Sequence, residues 1–491
     1  MNYRKIFQTL GSILNIEAVL MIFPLIVTLI YDEYDYVLSF IIPISLLLIL
    51  GILFTLKKPK KEAMYAKDGF IIVGLSWVVL SLFGCLPFVL NNVSETKLSF
   101  IGAFFEIVSG FTTTGASVIT NVDVWYEKAK GLLFWRSFSH WIGGMGVLVF
   151  FLAILPKSDG QSIFILKAES TGPQVGKLVS KIKVTARILY LIYLALTIIE
   201  MLFLVIDMPF YDAIVNSFAT AGTGGFGIRS ASIGYYSIYS QIVIAIFMLI
   251  FGVNFNIYYL LIAKKAKQAL KSEELWWYLG IVFVSTVSIA INIHTLMPNV
   301  YSSLALAFKD SLFQVSSVIT TTGFATANFE NWPMLSQTIL FILMFIGGCA
   351  GSTAGGIKVS RIVILLKSFK REIKKVIHPN SVLNVRFEGN TIDDEVVKGV
   401  TNYFGLIMVL LGVGLLILSF DKFDFVTNLT AITTCINNVG PGLGRVIGTQ
   451  GSFASFSVVS KLVLSIAMLI GRLEIYPILI LFNIKVWLKK Q

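Results

Sequence analysis

Long apolar stretches alternate with short polar connections along almost the whole chain. Each long stretch approaches or exceeds the roughly 20 residues that a helix needs to cross the hydrocarbon core of a bilayer. The pattern predicts ten membrane spans, and the last candidates are long enough to be tilted or broken. The predicted spans cover residues 10–30, 37–56, 69–90, 132–155, 184–206, 238–263, 276–297, 334–370, 399–420 and 453–487.

Four shorter apolar segments do not fit this pattern. Their length of about 10–14 residues is typical of half-helices that enter a membrane without crossing it. Each segment begins near a residue type that caps helix N-termini, which sets its predicted start. The segments are 98–111, 210–221, 308–319 and 424–436, and the predicted caps are Ser99, Asp212, Asp310 and Asp424.

Each half-helix runs into a short stretch of threonine, glycine or asparagine. Aligned on these stretches, a glycine holds the fourth place in all four, at Gly115, Gly224, Gly323 and Gly440. The unit of span, half-helix, small-residue strand and span therefore occurs four times, and such a repeat can close around one axis. The predicted fold is an all-α polytopic membrane protein with a potassium-channel-like, pseudo-fourfold pore.

The repeat divides the chain into five parts. Residues 1–60 form an added transmembrane hairpin, and 61–156 form the first pore repeat. Residues 157–270 hold a cytoplasmic connection and the second repeat. The third repeat covers 271–380, and the fourth covers 381–491.

Four glycine-containing strands at one depth predict a cation pore. Irregular backbone survives at membrane depth only where protein buries it or where it lines a watery path. Rings of carbonyl oxygens can replace the hydration shell of a potassium ion. The alternative for any single strand is close helix packing through Gly and Thr. The predicted potassium-binding residues are Thr113, Thr114, Gly115, Gly222, Thr223, Gly224, Thr321, Thr322, Gly323, Asn438, Val439 and Gly440.

The composition excludes a soluble protein. Hydrophobic residues make up 56% of the 491 residues and charged residues only 13%, about half the ~25% of ordinary soluble domains. The formal net charge is +12, and its basic clusters alternate with the spans as the positive-inside rule requires. These clusters, at residues 4–5, 57–61, 157–183, 264–271, 367–375 and 485–490, predict that both termini are cytoplasmic. The charge therefore indicates topology and contact with lipid headgroups, not nucleic-acid binding.

A glycine-rich segment interrupts the second span of the third repeat. Five glycines within residues 347–356 make a poor helix, so the segment is predicted to be a gating loop below the filter. The alternative is a close-packed crossing of two helices. The predicted gating residues are Gly347, Gly348, Gly351, Ser352, Thr353, Gly355 and Gly356.

Arg472 lies well inside the otherwise apolar last span. A charge at the bilayer centre costs at least about 2.5 kcal/mol, so it should face the bundle or water. We expect Arg472 to point into the cavity below the filter and to raise an electrostatic barrier to cations. The alternative is a structural arginine paired between repeats.

These motifs resemble the Trk/Ktr/HKT superfamily of potassium transporters, and the bacterial TrkH branch most of all. The resemblance covers essentially the whole chain and rests on the four filter stretches and on the sequence from Gly347 to Lys358. It implies a homodimer in which each protomer has its own pore. It also implies a cytosolic nucleotide-binding, TrkA-like gating ring as partner, and a pore blocked by the glycine-rich loop.

The sequence therefore predicts potassium uptake across the cytoplasmic membrane, with potassium as the transported substrate and no cofactor in this chain. A second hypothesis is a symporter that couples potassium to protons or sodium through Glu17, Glu106 or Glu200. An enzyme is not expected, because the spans contain no convergent set of catalytic side chains. Three widely spaced cysteines and three scattered histidines likewise predict neither a disulfide framework nor a metal cluster.

Overall fold

Over the part of the chain that the structure describes, the architecture is all-helical apart from one short β-hairpin. The computed structural model describes residues 2–56, 66–146, 182–381 and 383–483. Within these ranges, six helices are long and apolar enough to cross a bilayer, and a bent pair would make a seventh. The predicted basic clusters 57–61 and 485–490, and residues 157–181 of a third cluster, lie outside the described residues.

An antiparallel hairpin precedes the repeats. Its first arm is Tyr3–Leu20 followed by Ile22–Ile30, and its second arm is Val37–Leu56. The arms approach closely because glycines face each other: a Cβ on Gly51 would lie 2.9 Å from the carbonyl oxygen of Gly11. Small residues at such crossings let helices pack in lipid.

Four repeats follow, each with a first span, a short pore helix, a non-helical strand and a second span. The predicted repeated pore fold is confirmed in this order of elements. The first spans are Ala66–Gly84 (continued by Leu86–Leu90), Ile182–Leu204, Glu273–Leu296 and Asp394–Leu418. The pore helices are Phe100–Phe111, Phe210–Ala221, Leu304–Ile319 and Phe425–Asn437. The second spans begin with Lys130–Gly144, Ile238–Phe251, Met334–Ile346 and Val458–Arg472.

Smaller elements connect these helices. They are the helices Val122–Lys128 and Ala266–Ala269, and the 3-10 turns Tyr34–Tyr36, Ser232–Tyr235, Phe329–Asn331 and Phe453–Ser455. The strands Arg386–Phe387 and Asn390–Thr391 pair antiparallel between repeats 3 and 4.

Two of the four predicted pore-helix caps are confirmed. Ser99 Oγ accepts the Gly102 N–H at 3.2 Å, and Asp424 Oδ2 accepts the Thr427 N–H at 3.1 Å. The other two are wrong. Asp212 lies in the first turn of its helix, and Pro209 is the residue that precedes this helix. The third pore helix begins four residues earlier than predicted, directly after Ser303. Asp310 therefore lies mid-helix, where its carboxylate accepts a hydrogen bond from Thr326.

The second spans of repeats 2, 3 and 4 are broken. The predicted span 238–263 is not one straight helix: Ile238–Phe251 and Phe255–Ile262 meet at a bend of 89°. Repeat 3 resumes as Val359–Ile377 after the glycine-rich loop, and repeat 4 resumes as Tyr476–Phe482. These last two breaks agree with the expectation that the late spans are tilted or broken. The second span of repeat 1 is described only as far as residue 146.

Candidate functional site: four pore strands and the loop beside them

The four strands after the pore helices share one backbone conformation. The amides of Thr114, Gly224, Thr322 and Val439 each donate to the carbonyl five residues earlier, at 2.8–2.9 Å. The residue before each of them, Thr113, Thr223, Thr321 or Asn438, has a φ between 53° and 56°. A positive φ is uncommon for residues other than glycine, so its recurrence identifies equivalent positions.

This equivalence corrects the predicted register of repeat 2 by one residue. In every repeat, a glycine with a φ between 72° and 101° follows two positions after the residue with the φ of 53–56°. In repeat 2 this glycine is Gly225. Gly224 therefore corresponds to Thr114, not to Gly115. The aligned strands, called the candidate filter below, are residues 112–115, 222–225, 320–323 and 437–440. Gly225 was missed because the Gly-Gly pair fits two alignments; the shared threonine of Thr113 and Thr223 would have found it.

The four strands close into a ring. A Cβ added at Gly440 would lie 2.7 Å from the carbonyl oxygen of Thr114. A Cβ added at any of the other three glycines would likewise collide with a carbonyl oxygen of the next repeat. At Gly115 it would meet the carbonyl of Gly224, at Gly225 that of Thr322, and at Gly323 that of Val439. The carbonyls of residues 114, 224, 322 and 439 thus lie beside the neighbouring strand in the cyclic order of the repeats.

The strands differ in the side-chain hydrogen bonds that support them. In repeats 1 and 3 two threonine hydroxyls pair at 2.8 Å, Thr112 with Thr114 and Thr320 with Thr322. In repeat 4, Asn438 Nδ2 donates to Thr114 Oγ1 at 2.9 Å, which joins the fourth strand to the first.

Repeat 2 has no such hydroxyl pair, because glycines occupy both positions. The His140 imidazole takes the space: its Nδ1 lies 2.7 Å from the carbonyl oxygen of Gly110. A Cβ on Gly224 would collide with this ring, and one on Gly222 would collide with the His140 backbone. The departure of repeat 2 from the Thr-Thr-Thr-Gly pattern therefore compensates for a histidine on the second span of repeat 1.

A buried ion pair binds the backbone just after the strands of repeats 1 and 2. Glu106, in the first pore helix, accepts the Val118 N–H at 2.8 Å and the Arg136 Nε–H at 2.6 Å. Arg136 also donates to the Gly227 carbonyl at 3.0 Å and stacks 3.5 Å from the centre of the Phe226 ring. Glu106 thus binds the backbone that follows the candidate filter strand of repeat 1.

The glycine-rich loop is non-helical, as predicted, and fits into the bend of repeat 2. The Cys349 amide donates to the Gly252 carbonyl at 2.9 Å, and the Phe255 amide donates to the Gly351 carbonyl at 3.0 Å. Thr353 Oγ1 donates to the Phe251 carbonyl at 3.2 Å. The bend and the loop therefore provide hydrogen-bond partners for each other's backbone groups. A helix cannot provide such partners for the groups at its own ends.

The same loop reaches the candidate filter. The Gly355 amide donates to Thr321 Oγ1 at 2.6 Å, and the Gly356 amide donates to the Asn437 carbonyl at 3.0 Å. Thr321 and Asn437 belong to the strands of repeats 3 and 4, at the ends nearest their pore helices. The loop therefore lies directly against the pore-helix end of the ring.

Arg472 ties this loop to another repeat. Its Nη1 donates to the Thr353 carbonyl at 2.8 Å, and its Nη2 donates to the carbonyls of Gly143 and Gly144, each at 2.6 Å. The helix ends at Arg472, so the side chain projects from a terminus. The guanidinium therefore lies beside the loop, as the barrier hypothesis needs, and it also joins three repeats, as the structural alternative needs.

A second ion pair beside the loop was not predicted. Glu474 has a φ of 58°, which turns its carboxylate away from the regular helical direction and toward Arg361. Arg361 Nη2 lies 2.6 Å from Glu474 Oε2, and its guanidinium lies 4.0 Å from the centre of the Tyr403 ring. The pair fixes the helix that follows the loop to the broken last span.

We expect Gly225→Ala to destabilise the ring, because alanine has a strained positive φ here and its Cβ would collide with the Thr322 carbonyl. Overpacking and backbone strain of this kind cost about 1–3 kcal/mol each. The thermal unfolding midpoint of the detergent-purified protein should fall by several degrees. Gly227→Ala is the matched control, since its Cβ would meet nothing closer than 3.5 Å. Equal midpoints for the two variants would contradict the corrected register.

Comparisons with known proteins agree with this architecture. Residues 38–488 match the family model described as "TrkH: Cation transport protein". The chain is 34% identical to the Trk system potassium uptake protein TrkH of Escherichia coli K12 and 36% identical to that of Vibrio parahaemolyticus, with 99% of this chain and all of each relative covered. The crystal structure of the potassium transporter TrkH from Vibrio parahaemolyticus superposes with a TM-score of 0.88, at 34% identity, over 99% of this chain and all of that chain. The chain is thus a multi-span transport protein, not an enzyme, and it belongs to the TrkH cation transport family.

Proposed function

We propose that this chain carries potassium into the cell across the cytoplasmic membrane through the candidate filter. The observation that supports this most directly is the ring of carbonyls at residues 114, 224, 322 and 439, each beside the glycine of the preceding strand in the cyclic order of the repeats. Backbone carbonyl rings of this kind replace the hydration shell of potassium. The similar proteins from Escherichia coli and Vibrio parahaemolyticus are named as potassium uptake proteins.

The pore helices support a cation as the permeant ion. All four end at the candidate filter, at Phe111, Ala221, Ile319 and Asn437. The C-terminal end of a helix carries a partial negative charge. Four such ends directed at one ring favour a cation and disfavour an anion.

The strands that bind potassium in this proposal are not chemically equal. Repeats 1 and 3 have paired threonine hydroxyls, whereas repeat 2 has His140 behind two glycines and repeat 4 has Asn438 tied to repeat 1. A ring with unequal supports holds its carbonyls less uniformly than four identical strands would. We infer that rubidium passes with potassium and that sodium is excluded less strictly than in a symmetric potassium channel.

The glycine-rich loop is proposed as the gate. It touches the candidate filter through Gly355 and Gly356 and contains no bulky side chain to hold it in a helix. Arg472 keeps the loop in place and adds a positive charge on the path of the ion. Opening would require the loop to leave these contacts. The family resemblance supplies two further parts of the proposal: a homodimer and a cytosolic nucleotide-binding, TrkA-like ring that drives opening. The basic clusters between the spans supply the third, both termini in the cytoplasm.

Liposomes that contain the purified protein should take up rubidium, and excess potassium should compete better than sodium. Gly115→Ala should abolish selective uptake, because its Cβ would collide with the Gly224 carbonyl at a positive φ. Gly227→Ala, outside the ring, should retain wild-type uptake. Normal selective flux in correctly folded Gly115→Ala would refute the filter assignment.

Arg472→Ala should increase rubidium flux, by about tenfold if a barrier of about 1.4 kcal/mol is removed. Arg472→Lys separates the two roles of the side chain, since lysine keeps the charge but lacks the planar fork that bonds several carbonyls. If charge alone closes the pore, the lysine variant should conduct like the wild type. If the tie to Thr353, Gly143 and Gly144 closes it, lysine should behave like alanine. Unchanged or lower flux in folded Arg472→Ala would refute both roles.

Coupled symport is the second candidate, and one observation favours it. Glu17 is 1% exposed, and within the described part of the chain neither of its carboxylate oxygens has a hydrogen-bond partner. A buried carboxyl group without partners favours the neutral form and is a candidate proton carrier. Glu106 is less suitable, because Arg136, Ser117 and Val118 occupy its oxygens.

The channel proposal predicts that rubidium flux at fixed voltage does not depend on an applied proton gradient. Flux can be measured in liposomes with the voltage clamped by an ionophore while only the external pH varies. A steep dependence on the gradient that disappears in Glu17→Gln would favour symport. Glu200→Gln is the companion variant. Like Glu17, Glu200 is buried, and unlike Glu106 it does not pair with Arg136.

A further inference from the structure

One carboxylate that the proposed filter and gate do not use binds two points of the glycine-rich segment at once. Glu274 lies in the first turn of Glu273–Leu296 and is 5% exposed. Its Oε1 accepts the Ala350 N–H at 2.7 Å and the Ser360 N–H at 3.0 Å. Ala350 lies within the loop, and Ser360 lies in the first turn of the helix that follows it.

These two amides have no helical acceptor of their own. Ser360 is the second residue of Val359–Ile377, and the first four amides of a helix lack an intrahelical partner. Ala350 lies in the non-helical part of the chain. Hydrogen bonds from amides to a carboxylate are shorter and stronger than those between neutral groups. The carboxylate therefore holds the loop and the start of the next helix at a fixed separation.

The position of Glu274 is itself fixed by the β-hairpin between repeats 3 and 4. Glu388, in the turn of this hairpin, accepts the Glu274 N–H at 3.0 Å and the Ser272 hydroxyl at 2.9 Å. Lys367 pairs with Glu273 and donates to the Arg386 carbonyl at 2.8 Å. A continuous set of bonds thus leads from the hairpin, through the start of the first span of repeat 3, to the loop.

We propose that Glu274 is a positioning residue that latches the glycine-rich loop in its closed place, and that the hairpin sets the position of the latch. This inference rests on the proposed gating role of the loop. It adds a residue whose loss should open the loop without any change in the candidate filter or in Arg472. A partner that displaced the hairpin would release the loop by the same route.

The test compares Glu274→Met, which keeps the side-chain length and removes both oxygens, with Glu274→Gln, which keeps an acceptor oxygen. Partner-free rubidium flux should rise about tenfold in the methionine variant, a change that corresponds to about 1.4 kcal/mol. The glutamine variant should stay within about threefold of the wild type, a difference well below that tenfold step. Glu372→Met is the matched control, because the same substitution removes an exposed carboxylate on the helix after the loop that pairs with Arg371 and not with the loop.

A second readout follows the loop directly. Cys349 is a native loop residue with 0% exposure, and the other two cysteines can be replaced by Cys85→Ser and Cys435→Ser. In that background the rate of maleimide labelling of Cys349 should rise in Glu274→Met and stay low in Glu274→Gln and Glu372→Met. If the methionine variant does not fold, Glu274→Asp, which withdraws the oxygens by about 1.5 Å, should give an intermediate rise in labelling.

The two readouts separate the latch from the gate. Faster labelling with unchanged flux would support the latch and refute the loop as gate. Faster labelling with higher flux would support both. Unchanged labelling in a folded methionine or aspartate variant would refute the latch, whatever the flux does, and so would equal labelling in the methionine and glutamine variants.

Discussion

Every backbone amide and carbonyl at membrane depth needs a partner, because lipid supplies none. This constraint explains the relation between the bend of repeat 2 and the glycine-rich loop of repeat 3. The bend leaves the carbonyls of Phe251 and Gly252 and the amide of Phe255 without helical partners, and the loop supplies all three bonds through Thr353, Cys349 and Gly351. Each interruption would be costly alone. Together they place a non-helical segment against the candidate filter without orphaned groups at these positions.

The same constraint explains how four unequal strands form one ring. Each strand leaves its pore helix through the same residue of positive φ and the same amide-to-carbonyl bond, so the backbone is repeated although the side chains are not. The side chains then differ according to what lies behind. Threonine pairs support repeats 1 and 3, and His140 supports repeat 2 because Gly222 and Gly224 leave it room. The ring therefore depends on backbone geometry, and its sequence varies where a neighbouring repeat supplies the support.

The sequence predicted the parts of this fold that depend on local pattern. Apolar runs too short to cross a bilayer located the pore helices, and Ser99 and Asp424 marked two of their starts. Asp212 and Asp310 were mistaken for caps because local sequence does not distinguish a capping carboxylate from one with distant partners. Asp212 accepts hydrogen bonds from Tyr126 and Tyr236, and Asp310 accepts one from Thr326. Gly225 was missed because adjacent glycines allow two alignments; the threonine that Thr223 shares with Thr113 favours one of them, and the positive φ of both residues establishes it. The break at Gly252–Asn254 was missed because its cause, the loop, lies about 100 residues further along the chain.

Buried charges add side-chain bonds between the repeats to those that the backbone makes. Arg136 connects the first pore helix to Gly227, just after the strand of repeat 2, and Arg472 connects the end of repeat 4 to the loop and to repeat 1. Removing one partner of a buried pair costs more than the pair contributes, because the remaining charge is left without compensation. Such bonds therefore fix which surfaces meet more strictly than apolar contact does. The chain has few charges, and these buried ones lie beside the ring and the loop. This placement indicates that they serve to position these two segments more than to raise overall stability.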